Sequence, residues 1–378
     1  MKVLIVSGGM PTEDTPLNGN FEFDQAEALS NEGVDVTFFS VDLRSILRRR
    51  HWGISHGVKG KVKWYEISLP IGNIPAKPFC WVGAKALLYL YNRVYKNTEV
   101  PNIIHAHFVR TGFMASVLSV KTGLPLIITE HSSDMNKAVV NPDLLKYAIK
   151  GYSQAKQVIS VGGCLSRNIK RNTGIESVVI PNMIHMSVFS KVKRIPHNGF
   201  RIVTTAGLIP LKRIDEIIEA VNIIRKKGEN VYLDIIGDGP LKETLQSKVK
   251  LYDLEQAITL HGFKRDFEIA AIYEKSDCFV LASSTETFGV VYIEAMAAGL
   301  PVIATRCGGP EDFVNKQNGI LIDVDNTDQL VSAIITMKNN IDTYDSCAIK
   351  TFVDNTYSPH AIAVKIMNQY NLISSGIS

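Results

Sequence analysis

The stretch "FVLASSTETFGVVYIEAMAAGLPVIAT", Phe279–Thr305, reads strand, turn, helix, strand. Its two ends are short apolar runs of the kind that suit parallel strands buried on both faces. Between them, nearly every side chain from Gly289 to Ala298 is apolar or small, which predicts a buried helix. Two glutamates break the pattern. Glu286 stands in the turn before the helix, and Glu294 sits roughly two turns further on. A carboxylate on a buried helix is costly unless something pairs with it, so both ask for partners. Phe288 and Gly289 can offer backbone N–H groups to an anion at the helix start. A sugar ring and a ribose would give the two carboxylates hydroxyl donors, with a diphosphate between them.

The same alternation runs outward in both directions. Strand candidates in the first half are "KVLIVSG", "VDVTFFS", "VKWYEISL", "NIIHAH", "PLIITEH", "QVISVG" and "SVVIPN". Those in the second half are "RIVTTAG", "VYLDIIG", "ITLHG", "CFVLAS", "PVIAT" and "GILID". Helical spacing fills the gaps, as with Ile214, Ile217, Ile218, Val221 and Ile224. The pattern predicts an α/β fold, doubly wound, occurring twice. The polar stretch "SKVKRIPHNG", 190–199, reads as the linker, which divides the chain into domains 1–190 and 191–356. Residues 357–378 read as a last helix that packs back on the first domain. Two such domains set their ligand-binding loops around one central cleft.

The chain has 378 residues, 46% hydrophobic and 21% charged, enough for two cores in an ordinary globular protein. Its five cysteines are scattered with no C-x-x-C pair, which argues for a reducing compartment and against a zinc site. "MKVLIVSGGMP" suits a first strand better than a signal peptide. No window offers about 20 uninterrupted apolar residues, so the expectation is a cytoplasmic chain, peripheral at a membrane if it meets one. The net charge of +4 hides an asymmetry: residues 44–96 hold eleven Lys and Arg against Glu66 alone. There, "RSILRRRHWGI" and "KPFCWVGAKALLYLYNRVYK" mix cations with Trp, Phe, Leu and Tyr. That mixture suits a helix resting on anionic lipid, and equally an ordinary charged surface over a core-facing helix. No nucleic-acid-binding motif accompanies it.

The dinucleotide fingerprint is absent after the first strand, and "GDGP" at 237–240 is a lone G-x-G that reads as a tight turn. "DVD" at 323–325 reads as a strand end before a helix cap in preference to a metal pair.

Ser283, Glu286, Phe288, Gly289, Glu294, Ala295, Met296, Gly299, Pro301 and Val302 together resemble the donor-site signature of glycosyltransferase family 4. The resemblance continues through Gly308, Gly309 and Glu311 and through Asn318 and Gly319, and it covers almost the whole chain. It implies the GT-B fold, two Rossmann-like domains facing a central cleft. It also implies a retaining, metal-independent hexosyltransferase that moves a sugar from a nucleotide diphosphate, UDP above all, to a glycan or lipid-linked acceptor in surface polysaccharide (capsule or exopolysaccharide) biosynthesis. By the same resemblance Glu286 contacts donor-sugar hydroxyls and Glu294 the ribose. Phe288, Gly289 and Val290 then lie along the sugar–phosphate, and Lys212 grips the diphosphate. The motif around Lys212, "AGLIPLKRID", puts Gly207 where the family has an arginine, with Arg213 in a different place. In the first half, Gly19 in "PLNGNF" resembles the glycine loop that approaches the diphosphate, and His131 in "ITEHSSD" a histidine near the donor sugar. "PNMIHMSVF" keeps Asn182 and Phe189 of an interdomain signature and departs from it at Met183 and His185.

Taken by themselves, His131 is an ordinary strand-end histidine and Lys212 a solvated loop lysine. His105 and His107 alternate along "IIHAHF", so at most one is expected to face a ligand, and both read as structural. The rival functions are a catalytically silent glycan-binding partner subunit and a nucleotide-sugar epimerase or hydrolase on the same fold. The two glutamates and Lys212 speak against the first, and the basic, aromatic 44–96 segment speaks against the second.

Overall fold

The computed structural model describes every residue except 13, 14, 16, 17, 48–50, 73, 138, 185, 377 and 378. The chain forms two compact units: Met1–Met183 with Pro359–Ser378, and Ile184–Ser358.

The strands of the first unit are β1 (Lys2–Ser7), β2 (Asp35–Leu43), β3 (Gly53–Lys59), β4 (Val62–Leu69), β5 (Ile103–His107), β6 (Leu126–Glu130), β7 (Gln157–Ser160) and β8 (Val178–Val179). They form one sheet in the order β3-β4-β2-β1-β5-β6-β7-β8. Every pairing is parallel except β3 with β4. The interior strands β1, β5 and β6 are almost entirely buried, as near-continuous Val/Ile/Leu runs require. Strand β3 was not among the expected strands. Its sequence, "GISHGVK", has little apolar content because it is an exposed edge, joined to β4 by a turn at Gly60 with φ +59°.

The second unit carries β9 (Phe200–Thr205), β10 (Val231–Ile236), β11 (Ile258–Gly262), β12 (Cys278–Leu281), β13 (Val302–Thr305) and β14 (Gly319–Ile322). All pairings are parallel, in the order β11-β10-β9-β12-β13-β14. In each sheet the strand order reverses beside the first strand, between β1 and β5 and between β9 and β12. Loops leaving the carboxyl ends of strands at such a reversal are where open α/β sheets bind ligands.

The division falls at 183/184 and 358/359, and not at 190/191 and 356/357. Ile184 N–H bonds the Tyr357 carbonyl, and Phe189 packs on Tyr273, so the helix Met186–Phe189 belongs to the second unit. The stretch expected to be a linker is held there too. Lys350 Nζ donates to the carbonyls of Ser190 and Val192, Ile195 N–H to that of Glu274, and Arg194 pairs with Asp277. The final helix, Pro359–Ser374, lies in the first unit, where Ile362, Ala363, Ile366 and Tyr370 join the core of Phe23, Leu29 and Phe38. Met183 lies in that same core, which gives its departure from the family signature an apolar packing role. All five cysteines are free. Among the described residues, no helix is long and apolar enough to cross a membrane.

Candidate active site

In the second unit the loops after β9 and β12 converge. Lys212 ends the 3-10 turn Pro210–Lys212, and its Nζ lies 2.6 Å from Glu286 Oε1. Ser283 Oγ donates to the same oxygen at 2.7 Å. The Glu286 turn is fixed by its own backbone: Glu286 N–H bonds Cys307 O, and Gly309 N–H bonds Glu286 O. A β-carbon on Gly309 would stand 2.2 Å from Phe288 O, so glycine at 309 is a condition for these two turns to touch. Phe288 itself is buried among Phe313 and Tyr357, which leaves only its backbone to meet a ligand. Gly289, at φ +94°, caps the helix Val290–Ala297 without a side-chain hydrogen bond to its first amides. Val290 opens that helix, half-buried.

Glu294 lies on the same helix. Burial pushes its carboxyl up to about 7, with Asp266 adding to the shift. Among the described residues none gives its side chain a hydrogen bond or an ion pair. Gly207 occupies ordinary backbone, and a β-carbon there would meet nothing within 4 Å. Crowding at the β-carbon therefore does not explain the absence of the family's arginine. Arg213 is committed elsewhere, to Glu216 and Asp325, with its backbone left-handed at φ +50°. That pairing also accounts for one aspartate of "DVD". The other, Asp323, accepts from Gln329 Nε2. The "GDGP" turn braces the Gly207 loop, since Leu208 N–H bonds Asp238 O.

In the first unit, a cleft of about 1090 Å³ opens at the carboxyl ends of β1, β2, β5 and β6. Gly8, Gly9, Glu22, Arg44, Phe108 and Arg110 are among its lining residues. Gly19 caps the helix Asn20–Asn31 at φ +70°, and a β-carbon there would stand 2.2 Å from Gly9 O. Only glycine lets the two loops close in this way. Glu22 is buried, accepts from Ser7 Oγ, and has its pKa raised by that burial.

His131 follows β6. Its Nε2 lies 3.0 Å from His107 Nδ1, and its Nδ1 lies 2.9 Å from Asn182 Oδ1. Both ring nitrogens are therefore engaged within the unit, and burial holds the imidazole down at about 4. His105 and His107, two apart, share a strand face and do not alternate as expected, yet neither lines the cleft, in keeping with their reading as structural. Their rings stack with centroids 4.8 Å apart, both fully buried, and desolvation drives both imidazoles toward the neutral form. His105 is satisfied by Tyr370 Oη and Thr129 Oγ1, each at 2.7 Å.

Sequence reading missed Glu130. It accepts from Tyr152 Oη, from His131 N–H and from Ser132 N–H, so it fixes the loop that presents His131. An acid ending an apolar strand was the available signal. The serine of the donor motif, Ser283, also acquires a role here as a partner of Glu286. His185 and Arg48–Arg50 lie outside the described residues.

The family description "Glycosyltransferase Family 4" matches residues 21–188, and "Glycosyl transferases group 1" matches 187–351. The chain is 28% identical over 372 residues to TuaC of Bacillus subtilis strain 168, a glycosyltransferase provisionally assigned to teichuronic acid biosynthesis, covering 88% of each chain. It is 25% identical over 304 residues to alpha-monoglucosyldiacylglycerol synthase of Acholeplasma laidlawii, covering 72% of this chain and 75% of that one. Among solved structures it is similar in fold to sucrose-phosphate synthase of Thermosynechococcus elongatus, with TM-score 0.78, 19% identity and all of both chains covered. It is also similar to HepE of Anabaena in complex with UDP, with TM-score 0.74, 17% identity and 98% of this chain against 100% of that one. Two parallel-sheet units, loops meeting at each strand-order reversal and the donor-site signature in place agree with these likenesses: the chain belongs to glycosyltransferase family 4 and is a nucleotide-sugar-dependent glycosyltransferase of the GT-B fold.

Proposed function

We propose that this enzyme transfers a hexose from a UDP-sugar to a glycan or lipid-linked acceptor, with retention and without a metal, in surface-polysaccharide biosynthesis such as capsule or exopolysaccharide. On this reading the second unit binds the nucleotide sugar and the first binds the acceptor. The carrying observation is the Lys212–Glu286 pair, with Glu294 half-buried on the following helix and without a hydrogen bond or ion pair from the described residues. In the free protein Glu286 holds Lys212 in place. On donor binding, sugar hydroxyls donate to Glu286, the diphosphate takes up the Lys212 cation, and ribose hydroxyls donate to Glu294. Gly289 and Val290 N–H groups at the helix start add donors for the diphosphate. The C1–phosphate bond breaks as negative charge gathers on the leaving nucleoside diphosphate, where preorganised cations and amides stabilise it. The acceptor hydroxyl attacks C1 from the same face, and its proton passes to the leaving phosphate oxygen.

TuaC's assignment to teichuronic acid supports a polysaccharide pathway, and the HepE complex supports UDP. The helix Ala76–Val94 supports an acceptor at an anionic membrane surface, on the cytoplasmic side. Lys77, Trp81, Lys85, Tyr89 and Arg93 are spaced four apart and all exposed, with Trp81 at 45% and Tyr89 at 53%. A stripe alternating cations with amphipathic rings suits lipid headgroups, and the same helix contributes Ala76 and Phe79 to the wall of the cleft.

A donor screen tests the proposal. UDP-, GDP- and ADP-sugars are incubated with and without a chelator, and the anomeric configuration of the product is read by NMR. Turnover of a UDP-sugar in chelator, with retention, is expected. An inverted product or strict metal dependence overturns the mechanism, and hydrolysis unaffected by any glycan or lipid acceptor favours the hydrolase reading.

A further inference from the structure

The corner at His107–Phe108 carries two costs that the sheet does not require. Phe108 adopts φ 65° and ψ 158°, a region almost reserved for glycine. His107 is fully buried, yet among the described residues its Nε2 has no hydrogen-bond partner, which is itself unfavourable. Both residues bear on one side chain. His107 Nδ1 meets His131 Nε2, with the two rings stacked at 5.3 Å, and the Phe108 ring packs 5.0 Å from the same imidazole. Asn182 holds the opposite nitrogen. With Asn182 Oδ1 accepting, His131 carries its proton on Nδ1 and accepts from His107 Nδ1–H. Turning the Asn182 amide over reverses every tautomer along this chain and still leaves His107 Nε2 alone. Strain of this kind persists only where the surroundings over-determine it, and it gathers at functional sites.

We infer that His107, Phe108 and Asn182 are positioning residues that clamp the His131 imidazole in one tautomer and one orientation beside the cleft lined by Phe108 and Ser132. This rests on the proposed sugar transfer and on the family resemblance that sets His131 near the transferred sugar. Both ring nitrogens being taken, His131 acts on that sugar through its place and its main chain, and moves no proton.

Paired variants test the clamp. Phe108→Gly relieves the positive φ whereas Phe108→Ala keeps it, so the glycine variant should melt at the higher temperature. Both remove the ring, and both should lower kcat by roughly 10- to 100-fold, the scale of a small misplacement, while UDP affinity, carried by the other unit, holds. His107→Asn keeps a polar atom where Nδ1 stands and should retain most of kcat, whereas His107→Leu should lose it. The ¹⁵N resonances of His131 should show one tautomer in the wild type and in His107→Asn, and a mixture in His107→Leu. If kcat instead follows melting temperature across the four variants, the corner is packing alone and the inference fails. If the wild type turns over no nucleotide sugar, the functional reading fails separately. The NMR then decides the clamp, and a tautomer mixture at wild-type His131 overturns it.

Discussion

Glu130 and Glu294 are the same side chain in two different units, the first fully buried and the second half-buried. Burial pushes both carboxyls up to about 7. Glu130 is saturated by Tyr152 Oη at 2.7 Å and by the amides of His131 and Ser132. Glu294 receives nothing from the described residues of its own unit. A carboxylate that the fold fully satisfies is scaffold, whereas one left without donors from the described residues is the better candidate to meet a ligand. The same contrast separates His131, with both nitrogens bonded inside the protein, from Lys212, paired among the described residues with Glu286, a partner that the proposed function exchanges for a diphosphate.

The contrast breaks if removing Glu130 does no harm to the fold. Each donor abandoned in the interior costs roughly 1–3 kcal/mol, so Glu130→Ala should destabilise the protein by about 4 kcal/mol or more. UDP affinity of the folded protein should be unchanged. Denaturant melts and calorimetry separate the two, and a melt near that of wild type would remove Glu130 from the scaffold. Lys212→Ala should act in the opposite way, with little change in the melt and a loss of about 10²–10³ in kcat, because a single preorganised donor to a developing oxyanion is worth that much. A kcat within a few-fold of wild type would falsify the role assigned to Lys212. A large loss on Arg213→Ala in a folded protein would show that it leaves Glu216 and Asp325 for the diphosphate.

Glu294→Gln sharpens the contrast through pH. Between 4.5 and about 7 the native state holds the Glu294 proton more tightly than the unfolded chain does, so this group's stabilising contribution is lost as pH rises through that window. The glutamine variant should therefore be the more stable protein at pH 8, by at most roughly 3 kcal/mol, with the gap closed by pH 4. Its UDP affinity should be weaker by the worth of a charge-assisted hydrogen bond, roughly 1.5–3 kcal/mol. Equal melts at pH 8 together with equal affinity would remove Glu294 from the ligand site. The smallest effect is expected from Gly207→Arg. Open space surrounds that position, so a cation there should fold normally and tighten donor binding by a few-fold, the scale of a partly exposed ion pair. A drop in stability would show that the loop cannot accept the side chain.

Much of this was legible in the residues. The unbroken Val/Ile/Leu runs and the helical spacing between them carry the doubly wound architecture, because burial on both strand faces leaves a composition trace. Glu294 stood out as a candidate because a carboxylate inside "GVVYIEAMA" violates the helix around it. Strand β3 was not visible, since an exposed edge needs no apolar alternation. The unit boundary was misplaced because the polarity of 190–199 looks like a linker, although its backbone is bound by Lys350 and Glu274. The stacking of His105 on His107 follows from strand periodicity and was misread.

The sequence by itself determined the fold class and the family and named the candidate donor-side residues, since those depend on local pattern and on motifs read within a few positions. Tertiary structure alone decided which buried charges have partners. Tyr152 reaches Glu130, Asn182 reaches His131 and Lys212 reaches Glu286 across 22, 51 and 74 residues of chain. Hydrogen bonds act over about 3 Å, and only the folded chain brings such distant positions that close.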